Sequence, residues 1–488
     1  MRVLQVSAEL APLLKTGGLA DVAGALPAAL AGVGCDVRLL LPGLPALRAG
    51  LRDLQPLCEC LAPWGEAFQV LRGHWPGGVG HTAYLIDAPA LHDRAGDPYA
   101  SGAGQAYADN HRRFGLLGWV AAQLGTGLDA DWQPQIVHAH DWHAGLAAAY
   151  LRLAATASHA APARSVFTVH NLAYQGLFPA SAVAELGLPA HSFQMQGLEF
   201  HGQLSFMKAG LHYADRITTV SPTYAREVLT PEQGCGLDGL LRERRAAFSG
   251  ILNGVDPRNW SPAADALIAQ RYDATQLPLK AVNKAALQAA MGLAQQPGAL
   301  LFGVVSRLTE QKGLHLVLRA LPELIARGGQ LAVLGTGDAA LIDGFAAAAR
   351  AHPESVTLYV GYDEARSHAV FAGCDVTLVP SRFEPCGLTQ LYGLAYGSLP
   401  LVHRVGGLAD TVVDCSLENL ADDSATGFVF NDFTPAAYSA ALRRAFALQA
   451  KPGVWAGVQR AAMRQVFDWN VAAEQYLGVY RAALSESA

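Results

Sequence analysis

Charged side chains are scarce in this sequence and are not clustered. Only 16% of its 488 residues are Asp, Glu, Lys or Arg, and 35 basic residues against 41 acidic ones leave a net charge of -6. The sequence therefore lacks the basic patterning typical of proteins that bind nucleic acids or anionic membranes. Any phosphate that the protein binds must be held by a few local groups.

Long uninterrupted apolar runs are also missing, although 51% of the residues are hydrophobic. The most apolar stretches, residues 115–128 and 144–158, are short or are interrupted by Gln123 and Arg152, which favours buried helices over membrane spans. The first residues have too little apolar length for a signal peptide. We therefore expect a cytoplasmic protein with no membrane partner.

Cysteine is infrequent and scattered. The sequence has seven cysteines, and the close pair Cys58-Glu59-Cys60 lacks the spacing of a zinc ribbon. Reduced thiols in a reducing compartment explain this pattern best.

The length of the chain exceeds what one hydrophobic core usually serves, and its pattern indicates two α/β domains. Short apolar runs, each followed by a loop and a helix-length segment, predict parallel strands with helical crossovers. A first series precedes the loop at 253–257 and a second series follows it. The predicted strands cover residues 2–7, 37–41, 136–137, 166–169, 301–305, 331–334, 356–360, 376–379 and 399–402. Two doubly wound domains with a crevice between them follow.

One pentamer occurs in both series. Gly17-Gly18-Leu19-Ala20-Asp21 is repeated as residues 406–410, each time between a predicted strand and a predicted helix. One explanation of the repeat is chance in a chain rich in Gly and Ala. Alternatively, each copy is a flexible glycine loop at a helix N-terminus whose backbone N–H groups bind phosphate or sugar hydroxyls. The first copy follows Lys15-Thr16, whose ammonium suits a diphosphate, although a solvated surface lysine is an equal alternative. The loop lacks Walker A spacing, so a nucleotide triphosphatase is not indicated.

The densest polar cluster is the segment from His138 to His143, His-Ala-His-Asp-Trp-His. Its histidines suggest the metal ligands of a hydrolase, but Asp141 is displaced by one residue from that motif. A second alternative is a structural cluster whose polar side chains form hydrogen bonds within the protein. We favour a third, in which His140, Asp141 and Trp142 bind sugar.

The segment from His170 to Gly176, His-Asn-Leu-Ala-Tyr-Gln-Gly, also follows a predicted strand. A lone histidine there would be structural more often than not. The neighbouring Asn171, Tyr174 and Gln175 make recognition of hydroxyl groups the better prediction.

Two segments of the second series could bind an anion and a sugar. Arg307 and Lys312 follow a predicted strand and could grip a departing diphosphate, unless they form a surface salt-bridge pair. Glu384 ends another strand, and the residues Gly387, Leu388 and Thr389 then open a helix. A carboxylate one turn from an anion site fits a molecule that carries both a sugar and a diphosphate. Residues 335–340 match G-x-G-x-x-A, but their position within the domain makes a hydride-transfer enzyme a poor fit.

Together these segments resemble the bacterial and plant glycogen and starch synthases, which are retaining glycosyltransferases of the GT-B fold. The matching segments run in family order along nearly the whole chain: KTGGLADV, HAHDWHAG, FTVHNLAYQG, NGVD, SRLTEQKG, GYDE, EPCGLTQLYGLAYG, VGGLADTV and FDWNVAAEQYLGVYR. The resemblance implies two Rossmann-like domains. Residues 1–253 would form an acceptor-side domain that is completed by a C-terminal helix at 468–488, and residues 254–467 would form the nucleotide-sugar domain.

The resemblance also implies a reaction and a set of site residues. Glucose would pass from ADP-glucose to the non-reducing end of an α-1,4-glucan with retention, without metal or other cofactor. The residues implied as catalytic are Glu384, Asp141, His170, Lys312 and Arg307. Those implied as contacting ADP-glucose are Lys15, Gly18, Asn253, Arg307, Lys312, Tyr362, which would stack on adenine, Gly387, Leu388 and Thr389. Those implied as contacting the acceptor sugar are Asp21, His140, Trp142 and Tyr174.

One position departs from the wider group of retaining enzymes. Their E-x7-E motif has a second glutamate where this sequence has Tyr392, as in the synthase branch, so only Glu384 is carried over. The sequence has no separate pair of carboxylates of the glycosidase kind, which favours a front-face displacement in which the leaving phosphate helps to deprotonate the acceptor. Closure of the two domains would exclude water. A metallo-hydrolase and a non-catalytic glucan-binding protein are the alternatives, and the sequence leaves the oligomeric state open.

Overall fold

The chain divides into two compact units in a computed structural model that describes residues 1–77, 80–102, 105–154 and 162–485. The first unit comprises Met1–Gly254 together with Trp469–Ala488, and the second comprises Val255–Asp468. Residues 486–488, the end of the helix expected at 468–488, lie outside the described part of the chain.

The first unit is built on a nine-stranded sheet and a small three-stranded one. Its strands are β1 (Arg2–Val6), β2 (Asp36–Pro42), β3 (Arg52–Leu61), β4 (Ala67–Trp75), β5 (His81–Asp87), β6 (Ile136–His140), β7 (Arg164–Val169), β8 (Leu177–Pro179), β9 (Glu199–Phe200), β10 (Gln203–Ser205), β11 (Arg216–Thr219) and β12 (Phe248–Gly250). The large sheet has the order β12-β11-β7-β6-β1-β2-β5-β4-β3, and the small antiparallel sheet has the order β8-β10-β9. The large sheet is parallel from β12 to β5, and β4 and β3 are added antiparallel at one edge.

The helices of the first unit up to residue 254 cover this sheet. They are α1 (Gly18–Gly32), α2 (Pro45–Gly50), α3 (Pro89–His92), α4 (Asn110–Gly125), α5 (Asp141–Ala144), α6 (Leu146–Ala154), α7 (Ala182–Glu185), α8 (Phe206–Tyr213), α9 (Pro222–Glu227) and α10 (Asp238–Glu243). Strand β1 shows why both faces need cover, since Val3 packs into one apolar cluster and Leu4 and Val6 into another on the opposite face. The apolar stretch at 115–128 falls largely in α4, whose side chains are mostly buried, as predicted.

The second unit has one fully parallel sheet. Its strands are β13 (Leu301–Val305), β14 (Gln330–Gly335), β15 (Val356–Val360), β16 (Val376–Val379), β17 (Leu399–His403) and β18 (Phe428–Phe430), in the order β15-β14-β13-β16-β17-β18. The helices that accompany it are α11 (Lys280–Met291), α12 (Leu314–Ala326), α13 (Ala339–Ala351), α14 (Glu364–Gly373), α15 (Thr389–Ala395), α16 (Gly406–Thr411), α17 (Leu417–Ala421), α18 (Pro435–Gln449) and α19 (Pro452–Met463). The two mixed α/β units with parallel sheets confirm the predicted doubly wound fold class.

The last helix, α20 (Trp469–Ser485), packs against the first unit. Trp469, Tyr476 and Tyr480 join an apolar cluster with Val3 and Ile136 of the central strands. This helix therefore belongs to the core of the first unit although it lies more than 200 residues beyond the rest of that unit in sequence. Among the residues that the structure describes, no helix is both long enough and apolar enough to span a membrane.

In the main sheet of each unit, successive strands are added on opposite sides of one strand, so that the strand order reverses there. In the second unit, β14 and β15 extend from β13 in one direction, while β16, β17 and β18 extend in the other. In the first unit, β2 and β6 lie on opposite sides of β1. Open parallel sheets bind ligands at the carboxyl ends of the strands beside such a reversal.

Candidate functional site

The loops after β13 and β16 bring Lys312 and Glu384 together in the second unit. Lys312 Nζ lies 2.6 Å from Glu384 Oε2, and Ser381 Oγ donates to the same oxygen at 2.8 Å. Because both side chains are largely buried, the ammonium and the carboxylate neutralise each other where water is scarce. The pair therefore combines an anion-binding group and a hydroxyl-binding group at the strand reversal.

The turn that carries Glu384 is fastened through its backbone. Arg382 N donates to Gln311 O at 2.8 Å, and Gly407 N donates to Glu384 O at 3.1 Å. A Cβ at Gly407 would come within 2.0 Å of Cys386 O. Our suggestion that the amides of the second GGLAD copy hold phosphate is therefore wrong for Gly407, whose N–H is used to hold the Glu384 turn.

The other residues of the second unit that were predicted to bind ADP-glucose lie after β13, β15 and β16. Arg307 is exposed directly after β13, and Tyr362, which is 61% exposed, follows β15 two strands away. Gly387 adopts a φ of +72°, which favours glycine, and leads through Leu388 into α15, which begins at Thr389. Thr389 Oγ1 lies 3.4 Å from Val305 O at the end of β13, so this turn also lies at the strand reversal.

In the first unit, the loop after β1 holds Lys15 beside Asp21, with Lys15 Nζ 2.8 Å from Asp21 Oδ1. The buried carboxylate of Glu9 fixes this loop: its oxygens accept from Thr16 N at 2.7 Å and from Thr16 Oγ1 at 2.5 Å, and also from the hydroxyl of Tyr99. Gly18 begins α1 two residues later. The ammonium is therefore held in place by an anchored backbone.

The ends of β6 and β7 bring His140 and His170 together. His140 Nδ1 lies 3.1 Å from His170 Nε2, and His140 is fully buried. Burial lowers the pKa of His170 to about 3 and holds the pKa of His140 well below its usual value, so both rings are neutral near pH 7. Since one ring must donate and the other accept, His140 fixes the proton arrangement of His170.

Asp141 lies at the junction of β6 and α5 in a left-handed conformation, with a φ of +59°. Its Oδ1 accepts from Trp142 N at 2.7 Å and its Oδ2 accepts from Asn171 N at 3.3 Å. Burial raises the pKa of Asp141 to about 7, against the effect of these backbone N–H groups. The site therefore contains a carboxyl group that changes charge near neutral pH, beside neutral histidines.

The remaining predicted residues of the first unit differ in exposure. Tyr174 is 48% exposed, whereas the indole of Trp142 packs on Phe114 and on the backbone of Gly176. Asn253 is buried, and its Oδ1 has no hydrogen-bond partner. A buried amide oxygen without a donor is costly, and it is suited to accept from a ligand.

The histidines of the 138–143 segment are not arranged as metal ligands. His138 Nδ1 lies 2.8 Å from the hydroxyl of Tyr480 and His138 Nε2 lies 2.6 Å from Thr168 Oγ1, so both ring nitrogens have protein partners. Within the described ranges, no group of three or more His, Cys, Asp or Glu side chains could hold a metal ion.

Comparison with known proteins identifies this architecture. Residues 2–243 match the starch synthase catalytic domain, and residues 299–447 match the glycosyl transferases of group 1. The glycogen synthase of Variovorax paradoxus is 60% identical over the full length of both chains, and that of Francisella tularensis subsp. novicida is 55% identical with the same coverage. The chain belongs to the glycogen synthase family.

Two solved structures agree with this assignment to the glycogen synthase family. The catalytic domain of starch synthase IV from Arabidopsis thaliana, bound to ADP and acarbose, is 32% identical and superposes with a TM-score of 0.90 over 99% of both chains. Sucrose-phosphate synthase from Thermosynechococcus elongatus, 18% identical with a TM-score of 0.59 over all of both chains, shares the fold. The predicted GT-B fold class and the predicted glycosyltransferase of the glucan-synthase kind are confirmed.

Sequence reasoning missed two side chains that support the candidate residues, one in each unit. Glu9 anchors the Lys15 loop and Ser381 donates to Glu384. A signal was present in both cases, because Glu9 follows the first predicted strand and Ser381 precedes Glu384 by three residues. Both are ordinary polar residues near a strand end, and only their hydrogen-bond partners distinguish them.

Proposed function

We propose that the protein transfers glucose from ADP-glucose to the non-reducing 4-hydroxyl of an α-1,4-glucan, with retention, so that glycogen grows and ADP is released. The observation that carries this proposal is the ion pair between Lys312 and Glu384 at the strand reversal of the second unit. A cation suits the diphosphate and a carboxylate suits glucose hydroxyls. The ADP bound to the related starch synthase supports the choice of nucleotide.

The residues that bind ADP-glucose act mainly by neutralising negative charge. Arg307 and Lys312 neutralise the negative charge that grows on the leaving phosphate, and Lys15 adds a further cation. Backbone N–H groups of the turn at 387–389 contribute uncharged hydrogen-bond donors to the diphosphate. Gly18 is also among the residues that bind ADP-glucose. Tyr362, whose ring is exposed, stacks on adenine. The unpartnered Oδ1 of Asn253 accepts a hydrogen bond from a hydroxyl group of the glucose that is transferred.

The reaction is a front-face displacement. The bond between the anomeric carbon of glucose and the phosphate oxygen breaks, and a bond from the same carbon to the acceptor 4-oxygen forms on the same face. The proton of the acceptor hydroxyl passes to the departing phosphate of ADP. Glu384, Asp141 and His170 surround the sugar while it carries positive charge, and Asp21, His140, Trp142 and Tyr174 serve the acceptor side.

No metal ion takes part in this proposal. Its first test incubates the pure protein with glycogen and either ADP-glucose or UDP-glucose, with and without EDTA, and measures release of the nucleoside diphosphate. We expect ADP release that EDTA does not reduce, with α-linked glucose added to the glycogen. Loss of activity on chelation would favour a metal-dependent reaction instead, and affinity for glycogen without ADP release would indicate a glucan-binding protein.

The variants Glu384→Ala and Lys312→Ala test the site. Each should lower the rate of glucan synthesis at least about a hundredfold, the scale of a lost transition-state contact. Glu354→Ala and Lys451→Ala are matched controls, because both side chains are exposed in the second unit, and their rates should stay near that of the unsubstituted protein. A near-normal rate in a folded Glu384→Ala or Lys312→Ala protein would contradict the site assignment.

A further inference from the structure

Two cysteine side chains lie against each other on the outermost strand of the large sheet. Cys58 Sγ and Cys60 Sγ are 3.5 Å apart on β3, and both are free thiols. Residues two apart in a strand point to the same face, so the contact follows from the spacing Cys-x-Cys within a strand. The spacing that argues against a zinc ribbon therefore brings two sulfur atoms together.

The thiols rest on the core of the first unit. Cys58 is paired with Val70 of β4 and Cys60 with Phe68, and both partners are buried. The two cysteines are themselves partly buried and pack against the large apolar cluster of this unit. Packing on this side holds the sulfur atoms at close range, so a reaction that joins them needs little rearrangement of the chain.

The outer edge of β3 is open. In the described part of the sheet, β3 is the last strand and has β4 as its single neighbour. Its pairing with β4 shifts register between Pro56 and Cys58, which leaves Leu57 outside the ladder beside the first thiol. An irregular edge strand can adjust its backbone more easily than a central one, and a small reagent can approach it from solvent.

The two thiols are not equivalent. Burial raises the pKa of Cys60 to about 12, and its hydrogen bond with Cys58 and the charge of the Cys58 thiolate act in the same direction. Because the thiolate is the form that attacks, Cys60 is a poor first nucleophile. Once the sulfur of Cys58 is bonded to another sulfur, it carries no charge and no longer opposes ionisation of Cys60. This order favours Cys58 as the attacking thiol and Cys60 as the resolving thiol.

We propose that Cys58 and Cys60 form a dithiol site that reacts reversibly with a low-molecular-weight disulfide and closes to a disulfide within β3. The thiolate of Cys58 attacks one sulfur of the reagent, whose S–S bond breaks, and one half leaves as a thiolate. Cys60 then loses its proton to solvent and attacks the Cys58 sulfur, and the second half leaves. The two cysteines are oxidised, the reagent is reduced to two thiols, and the released thiolates take up the protons that the cysteines lost.

The disulfide should be easily reduced again. An S–S bond of about 2.05 Å requires the two sulfur atoms, now 3.5 Å apart, to approach by roughly 1.5 Å. Two residues of a strand also separate the Cα atoms by about 6.6 Å, near the upper limit for a disulfide. Strained and exposed disulfides are the labile ones. The site therefore responds to the balance of thiols and disulfides around the protein.

The test maps the thiols of the full-length protein after incubation with oxidised glutathione. Trypsin cleaves after Arg52 and Arg72, and the peptide 53–72 contains Cys58, Cys60 and no other cysteine. We expect this peptide to lose two hydrogen atoms without gaining glutathione, and to recover both thiols when excess reduced glutathione is added. A peptide that keeps both thiols, or a bond that reduced glutathione does not open, would overturn the proposal.

Single variants test the order in which the sulfurs react. In Cys60→Ser the mixed disulfide at Cys58 has no neighbouring thiol to resolve it, so glutathione on this peptide should be at least about tenfold more abundant than in the unsubstituted protein. Cys58→Ser should react more slowly and form no bond within the peptide. Equal modification of the two variants would contradict the assigned roles.

Cys235 is the matched control within the same chain. It is exposed, and the tryptic peptide 227–242 contains it as its one cysteine. This peptide should carry glutathione under conditions in which the peptide 53–72 carries none, and glutathione on both to the same extent would mean ordinary exposed thiols and would overturn the proposal. Since the measurement does not involve glucan synthesis, its failure and the failure of the proposed function are separate results.

Discussion

At the scale of single residues, burial decides which side chains of the first unit carry charge. The histidines at 140 and 170 are neutral because desolvation lowers their pKa, while the same burial raises the pKa of Asp141 to about 7. Since the folded protein holds this carboxyl proton more tightly than the unfolded chain does, the free energy of unfolding falls as pH rises from about 4 to about 7. Ionisation of the buried Asp141 therefore lowers the stability of the folded protein near neutral pH.

This charge state gives a kinetic prediction. If the carboxylate of Asp141 is the active form, the ratio of kcat between the unsubstituted protein and Asp141→Asn should rise with pH up to about 7 and then level off. Below that point it should fall by up to about tenfold per pH unit. A pH profile of both proteins from 5.5 to 8.5 measures this ratio, and a flat ratio would contradict a catalytic carboxylate at this position.

The sequence predicted candidate residues near strand ends, but it did not predict their hydrogen-bond partners. Lys312 and Glu384 were proposed because each follows a predicted strand, and the structure brings the two side chains together at one edge of the sheet. The link from Ser381 to Glu384 and the anchoring of Thr16 by Glu9 depend on side-chain directions within loops. Hydrophobic periodicity carries no information about those directions.

At the scale of elements, identical segments serve different structural needs. Both GGLAD copies begin a helix after a strand, as predicted. A Cβ at Gly17 would meet nothing within 4 Å, whereas one at the equivalent Gly406 would come within 1.9 Å of Glu384 O. The pentamer alone could not reveal this difference, since it is set by what packs against each copy.

The pair of glycines provides a stability test. Gly406→Ala should lower the free energy of unfolding by about 1–3 kcal/mol, because its φ of +44° disfavours a side chain and the backbone of Glu384 must move to admit the methyl group. Gly17→Ala should have almost no effect, since its extended backbone, with a φ of -164°, suits any residue. Urea unfolding of both variants measures the contrast, and equal losses would show that the close approach at Gly406 does not constrain the fold.

At the scale of the whole molecule, the end of the chain completes the core of the first unit. The hydroxyl of Tyr480 in α20 lies 2.8 Å from His138 Nδ1 in β6, across 342 residues of sequence. The resemblance of the final segment to the synthases implied a helix there. The pairing of its side chains with β6 could not be predicted, since no local pattern connects residues so far apart.

A pair of buried tyrosines tests this attachment. Tyr480→Phe should lower the free energy of unfolding of the first unit by about 1–3 kcal/mol, because it leaves the Nδ1 atom of the buried His138 without a hydrogen-bond partner. Tyr438→Phe in the second unit is the matched control: its hydroxyl is equally buried but has no hydrogen-bond partner, so its loss should be neutral or stabilising. Denaturant unfolding followed by tryptophan fluorescence measures both, and a neutral Tyr480→Phe would argue against the attachment.

Every candidate side chain lies at or beyond a strand end. This placement affects which substitutions such a protein can accept during evolution. Apolar clusters beneath the loops maintain the two sheets, and the loops above them carry the chemistry. Position 392 lies on the core side of this division, where Tyr392 stacks on Trp260 with ring centres 3.8 Å apart, while Glu384 stays in the turn. Substitutions in the loops can therefore alter the chemistry of the protein at less cost to its sheets than substitutions at a packed position such as 392.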